Sequence, residues 1–486
     1  MSVVSTTYNV PEALSQRTSI AIGVFFVLCL LPVLALASLD HGELTSKAVL
    51  GWLLVVYCAL RIAMHSGDGR MRLMTLTFWV FTYVWIALAT MLQVTADRFP
   101  EEGSYSNYLI FSGYLIIILG LAAYELGFVI GSSDSSRFAR FSNRLFLQRE
   151  LSPWRLFAIG ALSVFATLAI IAAIGGPGAL LQPRALFQNR LKETAGEAGH
   201  ASTYMAGFRL LVTALRVVPF VAFLAVFAHW IDGRRRGRRI AKRFIVLMAV
   251  LGVLNLIISN PIASPRSWFG TVALSVCFLY YPWMKRRTFA RWAVGFILVL
   301  IVVFPYADFF RDSLDPSRRV DFSASAISDK LVNSLDYGAF QQLLNTQQYV
   351  EQNGSAMGRQ FMGAVLFWVP RRFWKDKPLP SGPVVAEFKG YVFTGLLLDL
   401  WSEAYLNGGI VSVAVVFLIY GIGSGMLEKA YLRGLPRADT FAALLVPMLA
   451  AQQFVVLRGD FFTALVQTAP LICLSFLVTE KRVSAR

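Results

Sequence analysis

The chain reads as an all-α polytopic integral membrane protein of about 12 transmembrane helices, and three observations predict this. Of its 486 residues 56% are hydrophobic, with a mean hydropathy of +0.59. Apolar runs of about 18 to 25 residues recur along nearly the whole length, the length a helix needs to cross a hydrocarbon core. The runs are continuous and lack period-2 alternation. That selects helices over a closed barrel, the other fold that satisfies every backbone group in lipid.

Spans are predicted with centres near residues 29, 55, 82, 119, 165, 217, 250, 275, 298, 417, 449 and 470. The first run, Ile20 to Leu39, ends in the small-residue sequence Ala35-Leu36-Ala37, which resembles a signal-peptidase site. Its length exceeds a signal core, and only Arg17 makes its approach basic, so a retained helix is expected. The loop charges alternate from end to end. One side receives His65 to Arg72, the Arg137/Arg140/Arg144/Arg149 connection, the run Arg234 to Arg239, Lys285-Arg286-Arg287, Lys429/Arg433/Arg437 and Lys481-Arg482. By the positive-inside rule that side is cytoplasmic, and both termini lie there. The net charge of +17 is therefore explained by topology and not by nucleic-acid binding. Cys29, Cys58, Cys277 and Cys473 all fall inside apolar runs with no metal-ligand or CxxC spacing, and are read as core or lipid-facing residues.

Two outer loops are too long to be mere connections, one from about Gly175 to Tyr204 and one from about Asp308 to Tyr405. The expected organisation is a single integrated membrane domain. It comprises a nine-span region, 1–306, containing the loop 175–204; a large outer loop, 307–405; and a three-span region, 406–486. Inside the large loop the stretch Leu331 to Val350 is amphipathic, with Leu335, Leu343 and Leu344 on one side. The runs Phe361–Val369 and Val392–Trp401 are too short to span and suit re-entrant or interfacial segments. No internal repeat of the transporter kind is visible.

Positive charges on the outer side break the topological bias and need a separate explanation. The densest group lies in ValProArgArgPheTrpLysAspLysProLeuProSerGly, 369–382, which holds Arg371, Arg372, Lys375, Asp376 and Lys377 between apolar flanks. A basic island set against a bilayer suits a lipid-linked anion, although a solvated loop would carry the same charges. Arg209 and Arg216, seven residues apart in the sixth span, share a helical face, where they either line a wet cavity, form a buried pair or snorkel outward. Arg266 opens the eighth span after a turn fixed by Pro261 and Pro265, positioned for a ligand or for lipid headgroups. Arg190 and Arg311 lie in the two long loops. Among the acids, Asp399 and Glu403 stand in an apolar context, four apart, and would share a face of a helix. Each could serve as a general base or neutralise an arginine. Glu193 and Glu197 are second candidates. His200 reads as a polar loop residue. There is no DxD pair on the outer side, no HExxH, no Cys/His cluster, no Walker loop and no dinucleotide glycine fingerprint, so no metal or cofactor is expected and phosphate would be met by guanidinium groups.

Four segments carry a resemblance: LeuPheGlnAsnArgLeu at 186–191, AsnProIleAlaSerProArgSer at 260–267, ValProArgArgPheTrpLysAspLysPro at 369–378 and SerGluAlaTyrLeuAsnGlyGlyIle at 402–410. In this order and placement the chain resembles the O-antigen or oligosaccharide repeat-unit polymerases of bacterial envelopes, over its span pattern and most of its C-terminal two-thirds. The sequence departs from that pattern at Lys375 and Asp376 after Trp374, and at Asp399. The resemblance implies an all-helical glycosyltransferase of the cytoplasmic membrane that joins oligosaccharides carried on polyprenyl pyrophosphate, with a chain-length regulator as an open further partner. By the family pattern Arg190, Arg266 and Arg371 are its functional arginines. The reading expected here adds Arg372, Arg209, Arg216, Arg311 and Lys377 to the binding surface, with Glu403 and then Asp399 as base. A glycan ligase that transfers finished polymer, and a lipid-linked glycan flippase or transporter, stay open beside it.

Overall fold

The structure is a computed structural model that describes residues 10–39, 46–67, 71–134, 141–173, 176–180, 201–260, 264–280, 286–304, 321–391, 395–435 and 437–482. The chain is an all-α membrane protein. Eight described helices are long and apolar enough to cross a membrane, and Phe461–Leu477 and Ala293–Val303 are shorter apolar helices. Helices stand at all twelve predicted positions, but those around residues 250, 275, 298 and 470 fall short of a full 18-residue apolar helix.

The chain divides into two compact units. The first comprises 1–114, 283–306 and 320–341. Its helices are α1 (Val10–Ala37), α2 (Ser46–Gly67) and α3 (Leu73–Ala96), followed by α9 (Arg286–Leu298) and α10 (Ala324–Asn333). Helix α3 is apolar on every side and almost wholly buried, as a helix without a polar face must be. Seven of its residues, Thr82–Leu88, widen into a π-helix. The segment 321–341 does not float free as a loop. Gln93 on α3 donates to the carbonyls of Leu331 and Tyr337 at 3.1 Å each, Trp85 Nε1 donates to Asp336 O at 2.9 Å, and Tyr337 OH donates to Leu300 O at 2.7 Å. The predicted continuous amphipathic stretch 331–350 is broken here. Helix α10 ends at Asn333, a 3₁₀ turn spans Leu335–Tyr337, and α11 runs Ala339–Asn353. Ser334 caps that turn; Leu335 is exposed, while Leu343 and Leu344 are buried.

The second unit comprises 115–282, 307–319 and 342–486. Helix α4 (Asn107–Ser132) runs through the 114/115 boundary and packs here on α14 (Leu400–Gly434). The seam is made of glycine. A Cβ at Gly127 would lie 2.2 Å from Leu418 O, one at Gly131 2.2 Å from Ile422 O, and one at Gly421 2.2 Å from Tyr124 O. Only backbones without side chains approach this closely, the small-xxx-small contact of membrane helices. Around this pair stand α5 (Pro153–Ala173), α6 (Ala201–Arg235), α7 (Lys242–Ile258), α8 (Arg266–Tyr280), α15 (Phe441–Arg458) and α16 (Phe461–Leu477). Thr271 on α8 donates to Gln452 on α15, which donates to Gln467 on α16, at 3.1 and 3.2 Å. Two short helices, α12 (Arg359–Val365) and α13 (Ser381–Phe388), fold over the head of α14. A two-stranded ribbon, β1 (Arg149–Leu151) with β2 (Thr479–Lys481), closes the opposite end. Of the cysteines, Cys58 is buried, Cys29 half-buried, and Cys277 and Cys473 exposed, all as free thiols.

Candidate functional site

The site grows from a break in α14. Gly409 adopts φ 61° and ψ −150°, a conformation open to glycine, and with Gly408 it interrupts the helix after its second turn. The freed carbonyls find new donors. Ala356 N donates to Leu406 O and Gly358 N to Asn407 O, both at 2.8 Å, while Phe361 N donates to Asn407 Oδ1 at 3.1 Å. These bonds seat the start of α12 against the detached first turns, residues 400–407.

Glu403 lies in those turns and is 1% exposed. Its Oε2 accepts from Ser381 Oγ at 2.7 Å, and its Oε1 accepts from Phe461 N, the first amide of α16, at 3.2 Å. Asp460, 5% exposed, lines the same cleft beside it. Asp460 caps α16 by accepting from Phe462 N at 3.1 Å, and burial pushes its carboxyl upward against the hydrogen bonds that lower it. The N-terminus of α16 therefore points at this carboxyl pair, where its dipole favours negative charge. The pair lines a cleft with Gln360, Gly363, Pro378, Pro380 and Ser381, whose free space is about 10 Å³, room for about one water. Gln360 Oε1 is buried at this cleft and makes no hydrogen bond.

Asp399 is close in sequence but does a different job. The expectation that it shares a helical face with Glu403 fails because the helix begins after it. Asp399 is the N-cap, accepting from Trp401 N at 2.9 Å and Ser402 N at 3.2 Å, so its carboxylate is turned onto its own helix. Burial raises its pKa to about 6, against those hydrogen bonds, which lower it.

The basic stretch folds as a tight hairpin over the cleft. Lys377 is buried, and its ammonium donates to the carbonyls of Leu366, Phe367 and Val369 at 2.9 to 3.0 Å, which uses all three of its protons on the backbone. Burial and the neighbouring Arg371 lower its pKa. Arg371 is exposed and donates to Lys377 O at 2.7 Å and Pro378 O at 3.3 Å, so it reaches the cleft only through the loop that forms its wall. Arg372 lies over the Phe373 ring and is exposed beside Lys375. Met357, Met362, Trp368, Phe373 and Leu379 form an exposed apolar fringe around this hairpin.

Half-buried Arg216 on α6 and Arg266 at the head of α8 do not line the cleft. Arg209 lies on α6, but its side chain is outside the described residues, as are Arg190, Arg311, Glu193, Glu197 and His200. Among the described residues the structure thus brings together Glu403 and the 371–381 hairpin. Sequence reasoning missed Asp460, Ser381 and Gln360. Asp460 had a readable signal, an acid immediately before an apolar run, which marks an N-cap; its pairing with a residue 57 positions earlier had none.

No protein family, curated protein or solved structure matches the chain.

Proposed function

We propose that this protein polymerises lipid-pyrophosphate-linked oligosaccharide repeat units into a surface polysaccharide, with Glu403 and Asp460 as the proton acceptor. The observation that carries this reading is the buried carboxyl pair at the head of α14, roofed by a basic hairpin with an apolar fringe. A sugar hydroxyl must lose a proton as it attacks. A carboxylate in this cleft can take that proton, and Ser381 and Phe461 N fix the Glu403 oxygens that receive it. The new C–O bond forms at the donor's anomeric carbon as the bond to pyrophosphate breaks. The departing lipid pyrophosphate gains charge, which Arg371, Arg372 and Lys375 are placed to meet from the hairpin, with Arg190, Arg209, Arg216, Arg266 and Arg311 as the wider basic surface. The cleft holds no more than a water, so a sugar enters only when the Pro378–Ser381 wall lifts.

In this proposal twelve spans cross the cytoplasmic membrane with both termini inside, and the hairpin faces outward against the bilayer. The partners are the polyprenyl-pyrophosphate-linked oligosaccharide and the lipid itself. The test is to incubate purified proteoliposomes with a lipid-pyrophosphate-linked oligosaccharide and resolve products by length. A ladder of products is expected. Donor that remains unextended across several repeat units refutes the proposal, and polymer transferred whole to a second acceptor identifies a ligase instead.

A further inference from the structure

We propose that the crevice at the far end of α14, α15 and α16 from Glu403 binds an acyl chain of an anionic phospholipid. It opens beside Leu427, about 27 Å beyond the break at Gly409 by helical rise, and shares no lining residue with the carboxyl cleft. Its volume is about 550 Å³ and its lining is apolar, including Phe146, Met426, Leu445, Leu449, Cys473 and Phe476. A cavity of this size and character within membrane-crossing helices suits a hydrocarbon chain.

Charge at the rim decides which lipid. Arg144 stands exposed on the same turn, Asn143–Leu147, that supplies Phe146. In the ribbon Lys481 pairs with Arg149, and Arg482 N donates to Gln148 O at 2.8 Å, which sets exposed Lys481 and Arg482 beside the chain that follows that turn. Neighbouring carboxylates are already neutralised. Arg437 pairs with Glu150 and Asp439, Lys429 and Arg433 pair with Asp134, and Arg155 pairs with Glu480. Arg144, Lys481 and Arg482 form no ion pair with these acids, and three cations at the mouth of an apolar slot favour a phosphate head group with net negative charge. The apolar wall is held in place by Arg149, whose guanidinium lies 3.6 Å over the Phe476 ring and donates to Phe476 O and Thr479 O at 3.0 and 2.8 Å.

Cys473 lines the crevice and is exposed, and Cys277, exposed on α8, serves as an internal reference. The experiment measures N-ethylmaleimide alkylation of both thiols in delipidated full-length protein, with phosphatidylglycerol or phosphatidylcholine added at equal concentration. Phosphatidylglycerol is expected to slow Cys473 on the order of tenfold relative to phosphatidylcholine while leaving Cys277 unchanged. In the Arg144→Glu/Arg482→Glu variant the difference between the lipids is expected to vanish, and native mass spectrometry should lose a phosphatidylglycerol adduct that the wild type retains. Equal slowing by both lipids overturns the head-group assignment. Absence of slowing with either lipid overturns the site, and a Cys473–Cys473 cross-link between two chains in that case assigns the crevice to a second copy.

Discussion

Replacing Glu403 by glutamine separates chemistry from architecture at the carboxyl pair. The amide is nearly isosteric. Its oxygen can keep the bond from Phe461 N, and its NH₂ can donate to Ser381 Oγ, which is free to turn and accept. Folding should therefore change little. Alanine at the same position would instead strand a buried hydroxyl and a buried amide, at about 1–3 kcal/mol for each unpaired group. Catalysis is expected to show the opposite ranking of cause. Glutamine cannot take the acceptor's proton, and losing a positioned base costs about 10²- to 10⁴-fold, or about 3–5 kcal/mol of barrier. The assay is chain extension in proteoliposomes beside thermal unfolding in detergent. Extension by Glu403→Gln within about threefold of wild type would refute the assignment of Glu403 as base.

Arg371→Ala should slow extension by about a hundredfold, the scale of one lost contact to developing charge, and wild-type polymer length in that variant removes the side chain from the site. Asp399 supplies a pH test. Its pKa rises from 3.8 in the unfolded chain to about 6 when buried; its stabilising contribution is therefore full below about pH 3.8 and lost as pH rises through 6. The roughly 2-unit shift amounts to about 3 kcal/mol, so unfolding of Asp399→Asn, measured from pH 4 to 7, should lose this slope while keeping the cap; an unchanged slope contradicts the account. Gly421→Val should force α4 and α14 apart, because its Cβ would sit 2.2 Å from Tyr124 O. A loss of about 1–3 kcal/mol or more in detergent unfolding is expected, and none would mean that the seam is not tightly packed.

Helix positions were the most legible part of the sequence, because twenty apolar residues in a row have few alternatives. Glu403 was legible too, as an acid in an apolar setting. What stayed hidden depends on where helices start and stop. Asp399 and Glu403 have i,i+4 spacing, but the preference of Asp for an N-cap starts the helix after Asp399, so the two carboxyls do not share a helical face. Lys377 reads as one more cation in a basic run. Folding commits it to three carbonyls in the stretch just after α12, those of Leu366, Phe367 and Val369. Spacing in the sequence carries no sign of either outcome.

The glycine pair 408–409 links these observations. A continuous helix through residues 400–434 would pair the carbonyls of Leu406 and Asn407 with its own next turn. The break turns them outward to Ala356 N and Gly358 N, and Asn407 bridges Phe361 N to Glu403 O at 3.1 and 2.9 Å. Helix α12 is thereby fixed to the turn that carries Glu403, and Phe361 packs edge-on against Phe461 at 5.0 Å, at the head of α16. The same few contacts thus place Gln360, Glu403 and Asp460 around one point. A helix without the break would satisfy its own backbone but would leave α12 without its backbone anchors on the turn that carries Glu403.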